Sequence, residues 1–479
     1  MQIPVICALA AGALLACGGM DLPPRVAEDG AIHLSCWQSY NTEEIRVFDE
    51  LVARFEAEYA ERHPGEPPVV IDSEAVPFDN MDQQLSTTAQ SGRTPDIVRL
   101  DYNKIIMLAF GQVAVPVEEI GNFGALFPGE DMLSLRNRFV GAAYDACLLW
   151  RLGERHLYAL PEQVTCLALM WNRALFRARR DAIEAEAERT GLPLSHEQPP
   201  RTWEELAALG RALTWQDEGR QRYGFGMRDS LWFSLPILAV HGVEVISQDP
   251  ETGHLSCNLA SSERAAILFG RMRDFYLGDE NGPGFEGGAW SAGSDRTDRG
   301  FENGSYAMVQ EGSWQLRRYR DVGLDFGVAP IPRLSDAMAE RLGIPPEENI
   351  PRTNLGGAGM CVLRTAQLRG VDEQALEFMA WWTSPEVQAE WALALGQIPV
   401  TLEAQRMIED QVDDRARAFL ILSRNAAPMP RVPNYATLEN DVYNTSIQRV
   451  YSGDLEPHEA LRRMERDINR EILSLVRER

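Results

Sequence analysis

The sequence predicts an α/β protein with more than one folding unit, and three features support this prediction. The chain has 479 residues, which is too long for a single simple core. Short apolar strands alternate with amphipathic helices along most of its length, a pattern typical of sheets flanked by helices. Apolar residues make up 45% and charged residues 24% of the chain, which is the composition of a globular protein.

The individual elements are read from local patterns along the chain. Asn41 with Glu44, and Thr202 with Glu205, have the spacing of capping boxes, so each pair predicts the start of a helix. Predicted strands lie at 32–37, 69–71, 97–100, 166–170, 223–227, 307–309, 326–328 and 360–363. Further predicted helices lie at 79–90, 261–276, 372–383 and from Pro385 onward.

Three remaining segments complete the predicted organisation. Residues 278–300 are rich in glycine and predict a loop, and residues 335–353 are polar and rich in proline and predict a long exposed loop. The carboxyl-terminal segment predicts an amphipathic helix that packs against the body, with a membrane-surface helix as the alternative. Its apolar face consists of Leu461, Met464, Ile468, Ile472 and Leu475.

The amino terminus has the pattern of a bacterial lipoprotein signal. Residues 3–16 are almost wholly apolar but too few to span a bilayer, and they lead directly to Cys17. We therefore expect residues 1–17 to form a signal that ends at a lipidated Cys17, with an ordinary secretory signal as the alternative. Residues 18–30 are polar and rich in glycine and proline, which predicts a flexible tether. The mature chain is then expected outside the cytoplasmic membrane and attached to it through lipid only.

Charge and cysteine content exclude several classes of function. The formal net charge of −25 disfavours binding to nucleic acid or to anionic lipid surfaces. The five cysteines after Cys17 are widely spaced and contain no C-x-x-C pair, so their spacing gives no zinc ribbon or thioredoxin motif. We expect most of them to be buried apolar side chains, and a single disulfide remains open.

A search for catalytic patterns finds none. The sequence lacks a G-x-S-x-G elbow, an H-E-x-x-H pair, a P-loop and a G-x-G-x-x-G turn, and its seven histidines have no metal-ligand spacing. We therefore expect no catalytic residues, no metal and no cofactor. A glycosidase remains as the alternative, because its two carboxylates need not be close in sequence.

Aromatic residues next to strand ends are the most informative candidates for binding. Trp37 ends the first predicted strand, Trp232 and Phe233 follow the strand at 223–227, and Trp314 follows the strand at 307–309. In α/β sheets ligands bind outside the carboxyl ends of the strands. Aromatic rings beside Asn, Gln and Ser suit a ligand with apolar faces and hydroxyl edges, although each ring could equally belong to the core.

Several motifs, taken in order, resemble the extracellular solute-binding proteins of ABC transporters, in their maltose and sugar-type group. They are SGRTPDI at 91–97, YALP at 158–161, LMWNR at 169–173, PRTWEEL at 200–206, FENG at 301–304 and GSW at 312–314. Each motif is weak alone, and their order along nearly the whole mature chain carries the resemblance.

The resemblance implies a fold of two α/β lobes that close on a ligand by a hinge. Residues 31–160 and 355–402 would form the first lobe, and residues 161–354 and 403–479 the second. It further implies a monomer that captures a sugar or sugar-like polyol in a cleft between the lobes and delivers it to the permease subunits of an ABC transporter. A secreted glycoside-active enzyme, and a sensor or adhesin with the same fold, are the alternatives.

The resemblance also assigns candidate ligand contacts by position. They are Trp37, Gln38, Ser39, Tyr40, Asp101, Tyr102, Asn103, Thr165, Ser230, Trp232, Phe233, Trp314, Gly356, Gly357, Asn434 and Tyr435. Two positions depart from the family pattern, because Thr165 stands where sugar binders often place a carboxylate and Asn434–Tyr435 replace a tryptophan. A smaller sugar or polyol, phosphorylated or not, is therefore as consistent with the sequence as a maltodextrin.

Overall fold

A computed structural model describes most of the chain. The described residues are 22–77, 80–151, 153–217, 219–249, 251–277, 297–427, 429–432 and 434–474. The predicted signal, the predicted lipidation site Cys17 and the first residues of the predicted tether lie outside these ranges. Within the described part of the tether, Arg369 donates hydrogen bonds to the carbonyl oxygens of Pro23 and Pro24, at 3.1 and 3.2 Å.

The described residues form short strands and helices that alternate along the chain. The strands are Ile32–Gln38 (β1), Val69–Ala75 (β2), Ile97–Asp101 (β3), Leu148–Arg151 (β4), Glu154–Leu157 (β5), Leu160–Asn172 (β6), Trp215–Asp217 (β7), Arg220–Gly226 (β8), Ser247–Gln248 (β9), Leu255–Ser256 (β10), Tyr306–Gly312 (β11), Phe326–Ala329 (β12) and Leu355–Val362 (β13). The helices are Thr42–Arg62 (α1), Met81–Gln90 (α2), Tyr102–Phe110 (α3), Phe123–Leu126 (α4), Gly141–Cys147 (α5), Arg173–Ala178 (α6), Arg180–Thr190 (α7), Trp203–Ala212 (α8), Leu231–Val240 (α9), Glu263–Leu277 (α10), Thr297–Glu302 (α11), Leu316–Asp321 (α12), Asp336–Arg341 (α13), Arg364–Arg369 (α14), Asp372–Trp382 (α15), Pro385–Leu395 (α16), Leu402–Ile408 (α17), Asp414–Arg424 (α18), Thr445–Tyr451 (α19) and Pro457–Asp467 (α20). Single turns of 3₁₀ helix lie at Val117–Glu119, Leu135–Arg138, Leu259–Ser261 and Ser313–Gln315, and π-helical segments lie at Thr437–Asn444 and Ile468–Leu473.

The chain divides into two compact units. Unit 1 contains Met1–Val164 and Gly356–Gln411, and unit 2 contains Thr165–Leu355 and Val412–Arg479. The chain therefore passes from one unit to the other three times, twice within a strand, β6 and β13. The boundaries expected after residues 160, 354 and 402 fall four, one and nine residues before those of the structure.

Unit 1 has a mixed sheet in the strand order β2-β1-β3-β13. Strands β1, β2 and β3 are parallel, and β13 runs antiparallel to β3. Helix α1 begins with the predicted capping box, in which the Asn41 side chain accepts from the Glu44 amide and the Glu44 side chain accepts from the Asn41 amide. Its apolar stripe, which includes Phe48 and Phe55, is buried against the aromatic rings of α15, so the helix is held mainly by packing.

Within unit 2 the paired strands have the order β12-β6-β11-β8-β7. Strands β8 and β11 are parallel, and β6 runs antiparallel to both β11 and β12. Gly224 allows helix α8 to pack closely against strand β8, because a Cβ at this position would lie 2.0 Å from the carbonyl oxygen of Gly210 in α8. The predicted α/β class, with helices flanking a sheet in each unit, is confirmed.

Two of the predicted loops are partly wrong. Residues 335–353 contain helix α13, which Ser335 caps by accepting from the Met338 amide, and Ala339 and Leu342 are buried in the core of unit 2. Proline content suggested exposure here, but the apolar spacing within α13 gives this segment an inward face. Residues 297–300 of the predicted glycine-rich loop are helical, because α11 begins at Thr297, and residues 278–296 lie outside the described part of the chain.

The carboxyl-terminal helix packs inside unit 2, as predicted. Leu461, Met464, Ile468 and Ile472 all lie in its buried core, and Leu475 lies outside the described residues. This burial excludes the membrane-surface alternative for the stripe, because the same side chains cannot also face lipid. In the described ranges, every helix is too short or too polar to cross a membrane.

The cysteines are buried as predicted. All five after Cys17 are free thiols within the structure: Cys36, Cys147, Cys166, Cys257 and Cys361. Burial raises the pKa of Cys257 to about 11, so this thiol stays protonated at neutral pH.

Candidate functional site

The sheet of unit 2 brings several predicted ligand contacts to one edge. Because β8 and β11 are parallel, with Val309 opposite Gly226, the segments that follow them leave from the same edge. Trp232 follows β8 and Trp314 follows β11. Strand β6 runs antiparallel to β11, with Leu167 opposite Gly312. The residues of β6 that precede Leu167 therefore lie at the same edge. We call this the unit 2 edge.

Three rings at this edge form a contiguous aromatic cluster, which consists of Trp232, Phe233 and Trp314. The centroids of the Trp232 and Trp314 rings are 5.6 Å apart at an interplanar angle of 43°. The Trp232 and Phe233 rings are 5.0 Å apart and nearly perpendicular, at 78°. Phe233 is buried, Trp232 is half-buried and Trp314 is 45% exposed. The cluster therefore has a fixed base and a large indole surface open to solvent.

The Trp314 indole lies directly on the backbone of Gly312. A Cβ atom at residue 312 would lie 1.9 Å from Cζ3 of the indole and 2.1 Å from Cη2. No side chain fits in that space, so glycine is required for Trp314 to hold this orientation.

A charged pair lies under the aromatic cluster. The Arg228 guanidinium is centred 5.1 Å over the Phe233 ring, and its Nη2 lies 3.4 Å from Oε1 of Glu311. The Glu311 side chain is fully buried, while that of Arg228 is 34% exposed. A buried carboxylate needs such a partner, so Glu311 holds the guanidinium beside the rings.

Side chains also fix the amino-terminal turn of α9, which carries two of the three rings. The Phe233 amide donates to Oγ of Ser230 at 3.4 Å, and the Trp232 amide donates to Oε1 of Glu439 at 3.0 Å. Asn354 Nδ2 donates to the Trp232 carbonyl at 3.0 Å. Burial raises the pKa of Glu439, and the bond from the Trp232 amide offsets part of this rise. These contacts satisfy free backbone groups at the start of the helix and position Trp232.

Two further predicted contacts in unit 2 lie close to this turn. Tyr435 is buried in the core of unit 2, and Asn434 is half-buried. The backbone carbonyl oxygen of Asn434 accepts a hydrogen bond from the Leu438 amide. The π-helical segment Thr437–Asn444, which supplies Glu439, begins just after them. Such segments are frequent at functional sites.

Several buried polar side-chain atoms in unit 2 have no hydrogen-bond partner among the described residues, and two of them are oxygens on segments that lead to the unit 2 edge. These two oxygens are Oγ1 of Thr165, the first residue of β6 that belongs to unit 2, and Oδ1 of Asn354, whose amide nitrogen donates to the Trp232 carbonyl. A buried oxygen without a hydrogen bond destabilises the folded state. Such an atom can gain its missing hydrogen bond from a bound ligand. Both atoms are therefore candidates for contacts with a hydroxylated ligand.

The sheet of unit 1 gathers the other predicted residues at one edge in the same way. Strands β1 and β3 are parallel, and β13 enters antiparallel with Ala358 opposite Asp101. The residues brought to this unit 1 edge are Gln38, Ser39, Tyr40, Asp101, Tyr102, Asn103, Gly356 and Gly357.

A buried ionic network organises the unit 1 edge. Arg99 Nε donates to Oε2 of Glu162 at 2.6 Å, and the Tyr40 hydroxyl donates to Oε1 of the same carboxylate at 2.8 Å. Arg99 also donates to Oγ of Ser39 at 3.2 Å and to Oε1 of Gln163, and its guanidinium lies 4.6 Å over the Tyr40 ring. Every residue of this network is therefore held in one orientation.

Burial in this network keeps its groups in their ordinary protonation states. Burial alone would lower the pKa of Arg99, but the Glu162 carboxylate reverses this effect and the pKa lies above its usual range. Burial raises the pKa of Tyr40 well above 10 and that of the Cys36 thiol to about 12. A protonated tyrosine and thiol do not provide a nucleophile at neutral pH, so the arrangement suits positioning.

Other residues at the unit 1 edge are held by close packing. Gly357 has φ of +131°, and a Cβ there would lie 1.9 Å from the Gln163 carbonyl oxygen, which also accepts from the Tyr102 hydroxyl at 2.9 Å. Gln38 is buried and accepts from the Tyr40 amide at 2.6 Å.

Trp37 belongs to the core of unit 1. It is only 8% exposed and presents almost no ring surface, unlike Trp314. Asn103 has a buried Oδ1 without a hydrogen-bond partner in the described ranges, which makes it the unit 1 counterpart of Thr165.

Several organising residues were not among the predicted contacts. Glu162, Arg228, Glu311 and Glu439 bind or orient predicted residues at each edge. One signal was present in the sequence, because Glu162 and Glu311 are charges within apolar strands, and a buried charge requires a partner. In the described part of the chain, no group of three or more His, Cys, Asp or Glu side chains is arranged to hold a metal ion.

Comparisons with known proteins identify the relatives of this chain. The family model "Bacterial extracellular solute-binding protein" matches residues 50–418. The maltotriose-binding protein of Pyrococcus abyssi is 22% identical over 409 residues, which are 85% of this chain and 75% of the relative. The sn-glycerol-3-phosphate-binding periplasmic protein UgpB of Yersinia pseudotuberculosis is 25% identical over 288 residues, which are 56% of this chain and 59% of the relative.

Solved structures share the fold. The crystal structure of the cyclic alpha-maltosyl-1,6-maltose binding protein from Arthrobacter globiformis superposes with a TM-score of 0.67 at 20% identity, and the superposition covers 92% of this chain and 99% of that one. At this level of identity the likeness establishes the architecture, which is the predicted fold class of two α/β lobes.

Proposed function

The chain belongs to the bacterial extracellular solute-binding protein family, and on that basis we propose that it captures a carbohydrate or sugar-like polyol for delivery to an ABC permease. The family is extracellular, so the protein acts outside the cytoplasm. We further propose that the solute is released chemically unchanged and that the protein is no enzyme.

The aromatic cluster at the unit 2 edge is the observation that carries the proposal. An exposed Trp314 indole, fixed on Gly312 and beside Trp232, offers a rigid apolar face for the C–H surface of a sugar ring. The unpaired oxygens of Thr165 and Asn354 provide hydrogen-bond partners for hydroxyl groups. A rigid apolar face with a few fixed polar groups is the usual design of a small-molecule site.

The names of the relatives support this class of ligand. The Pyrococcus abyssi relative is a maltotriose-binding protein and the Yersinia relative a glycerol-phosphate-binding protein, so both bind hydroxylated molecules. The ion pair of Arg228 with buried Glu311 leaves little free positive charge beneath the rings, which favours a neutral solute over a phosphorylated one.

The remaining parts of the function are proposals made on the sequence. Residues 1–16 would be removed, with lipid attached at Cys17 and residues 18–30 as tether, so that the monomeric receptor stays near its permease. Closure of two lobes on the solute, as the resemblance implies, is likewise a prediction.

A thermal-unfolding screen of the mature protein tests the proposed ligand class. The panel contains maltose, maltotriose, galactosides, monosaccharides, glycerol and glycerol 3-phosphate. A ligand that binds only the native state raises the unfolding temperature, so at least one neutral carbohydrate should do so in a concentration-dependent way. A panel in which no carbohydrate or polyol shifts the transition contradicts the proposal.

Analysis of the solute after incubation tests the proposal that the protein is not an enzyme. Any carbohydrate that raises the unfolding temperature is incubated with excess protein, and its products are separated by chromatography. We expect the intact solute alone, because the sequence contains none of the common catalytic motifs. Sustained release of hydrolysis products would support the glycoside-active alternative instead.

A further inference from the structure

Unit 2 contains a concave site that is separate from the aromatic cluster. It is a cavity of about 440 Å³, within the range of small-molecule pockets. Its lining comes from the end of β6, helix α6, strand β12 and the proline-rich segment that follows α7. The lining residues are Trp171, Arg173, Arg177, His196, Glu197, Gln198, Pro199 and Val328. We call it the β6-end pocket.

The β6-end pocket lies at the opposite end of β6 from the unit 2 edge. Thr165 marks the edge with the aromatic cluster, and Trp171 lies six residues further along the same strand. At about 3.3 Å per residue, the two positions are about 20 Å apart. A solute bound at the aromatic cluster therefore does not occupy this pocket.

The floor of the pocket is a preorganised indole. Trp171 is 5% exposed, and its ring packs edge-on against Phe176 with centroids 4.9 Å apart. On another side, Gly327 leaves room for the indole, because a Cβ there would lie 2.3 Å from Nε1. The Arg173 guanidinium lies over this ring, 5.4 Å from its centroid.

The charges of the pocket leave one guanidinium without a carboxylate. Arg177 is neutralised by Asp325, with Nη2 and Oδ2 2.5 Å apart, and Glu197 is 3.8 Å from His196. Arg173 has no carboxylate within 4.0 Å and no side-chain hydrogen bond among the described residues. Arg173 is exposed, so its guanidinium is accessible to a ligand that enters the pocket from solvent.

The donor groups around the cavity suit an oxyanion. Arg173 and Arg177 offer the planar donor geometry that matches carboxylate and phosphate oxygens, and the Gln198 amide and the His196 ring lie on the facing wall. Glu197 is the one acidic lining residue and its side chain is 74% exposed, so it can turn toward solvent.

We propose that the β6-end pocket is a second ligand site, which binds the carboxylate or phosphate group of a small anion through Arg173. The site is independent of the proposed sugar site, because it uses other residues at the opposite sheet edge. The Trp171 ring supports the guanidinium, and His196 and Gln198 line the same pocket and offer further hydrogen-bond donors to the anion.

Equilibrium dialysis of the mature protein tests this site with two probes, radiolabelled inorganic phosphate and radiolabelled acetate, at constant ionic strength. We compare the wild type with Arg173→Gln and with the matched control Arg180→Gln. Arg180 pairs with Glu184 on the exposed face of α7 and does not line the pocket, so the control has the same change of net charge. Unchanged thermal unfolding shows that each variant is folded.

The proposal expects saturable binding of at least one probe, with one anion per chain. Arg173→Gln should weaken that binding by about tenfold or more, because a charge-assisted bond is lost, while Arg180→Gln should leave it within about twofold. Preference for phosphate or for acetate identifies which oxyanion the pocket selects. Absence of saturable binding by both probes, or equal weakening in the two variants, would overturn the proposal. Neither result depends on whether a sugar binds at the aromatic cluster.

Discussion

At the scale of single residues, the proposed binding surface depends on how one indole is supported. Trp314 is exposed, yet it rests on the backbone of Gly312 and against Trp232, so its orientation is set before any ligand arrives. A surface that is ordered in advance loses little side-chain entropy on binding. The contribution of this residue can therefore be measured by two different substitutions.

Trp314→Ala should weaken carbohydrate binding while the fold stays intact. Loss of the stacking face and its buried area should raise the Kd by about tenfold, which corresponds to about 1.4 kcal/mol. Isothermal titration calorimetry with the sugar selected by the thermal screen measures the change. Trp215→Ala is the control, since Trp215 lies on β7 outside the aromatic cluster, where its ring contacts the Arg179 guanidinium. An unchanged Kd in the Trp314 variant would refute the stacking assignment.

Gly312→Ala should produce a similar loss without removing any aromatic ring. The added methyl group would collide with the Trp314 indole, at 1.9 Å from Cζ3, and displace it from its position. Calorimetry should show weaker binding of the same sugar by about fivefold or more, as expected when a preorganised contact is lost. Gly270→Ala is a matched control on α10, where a new Cβ would meet no atom within 4 Å. Equal affinities for the two variants would show that the orientation of Trp314 is irrelevant.

At the scale of elements, each edge is held by a carboxylate, which is buried in unit 1 (Glu162) and half-buried in unit 2 (Glu439). Glu162 receives bonds from Arg99 and Tyr40 in unit 1, and Glu439 receives the Trp232 amide at the start of α9 in unit 2. Removal of the partner of such a carboxylate lowers the free energy of unfolding, because the charge is left unpaired. The carboxylate also fixes the orientation of the groups that donate to it.

Glu162→Ala should destabilise the chain strongly. The substitution leaves the Arg99 guanidinium buried without its carboxylate, which costs about 3–5 kcal/mol in comparable cases. Urea unfolding followed by circular dichroism measures the difference in the free energy of unfolding. Glu390→Ala serves as the control, because its pair with Arg54 is exposed and should contribute less than about 1 kcal/mol. A loss no larger than that of the control would mean that the buried pair is not structurally important.

Glu439→Gln should change how stability depends on pH. Burial raises the pKa of Glu439, so the folded chain holds this proton more tightly than the unfolded chain does. The stabilising effect is complete below the ordinary value of 4.5 and is lost as the pH rises through the higher folded value. Glutamine keeps the oxygen that accepts from Trp232 and does not titrate.

The stability of Glu439→Gln relative to the wild type should therefore increase from pH 4 to pH 7. Urea unfolding at both values, with Glu340→Gln as a control for an exposed glutamate on α13, measures this difference. A constant difference between Glu439→Gln and the wild type across that range would contradict the account of its burial.

Much of the element pattern could be predicted from sequence, because strands and caps depend on neighbouring residues. The capping box of Asn41 and Glu44 is confirmed, and so is the burial of the carboxyl-terminal helix. The ion pair between Arg228 and Glu311 could not be predicted, because it joins segments more than eighty residues apart through the register of β8 and β11. Helix α13 could not be predicted in this way, because the prolines that follow it in the sequence are typical of a loop.

At the scale of the whole molecule, ordered motifs identified the family, and this prediction is confirmed by the family match over residues 50–418. The chain passes between two α/β units three times, and each unit presents predicted contact residues at one sheet edge. The motifs could not reveal the β6-end pocket, because its lining joins a strand end, a helix and a loop that have no shared sequence pattern. Pocket and aromatic cluster can therefore be tested separately.

The central claim is that this chain binds a hydroxylated solute reversibly and without chemical change. Equilibrium dialysis with an isotope-labelled form of the sugar selected by the thermal screen, followed by chromatography of the recovered label, tests that claim in one measurement. The account predicts saturation at one molecule per chain, a Kd of about micromolar magnitude and complete recovery of the intact sugar. Failure to reach saturation with any neutral carbohydrate, or recovery of the label as a different compound, would contradict it.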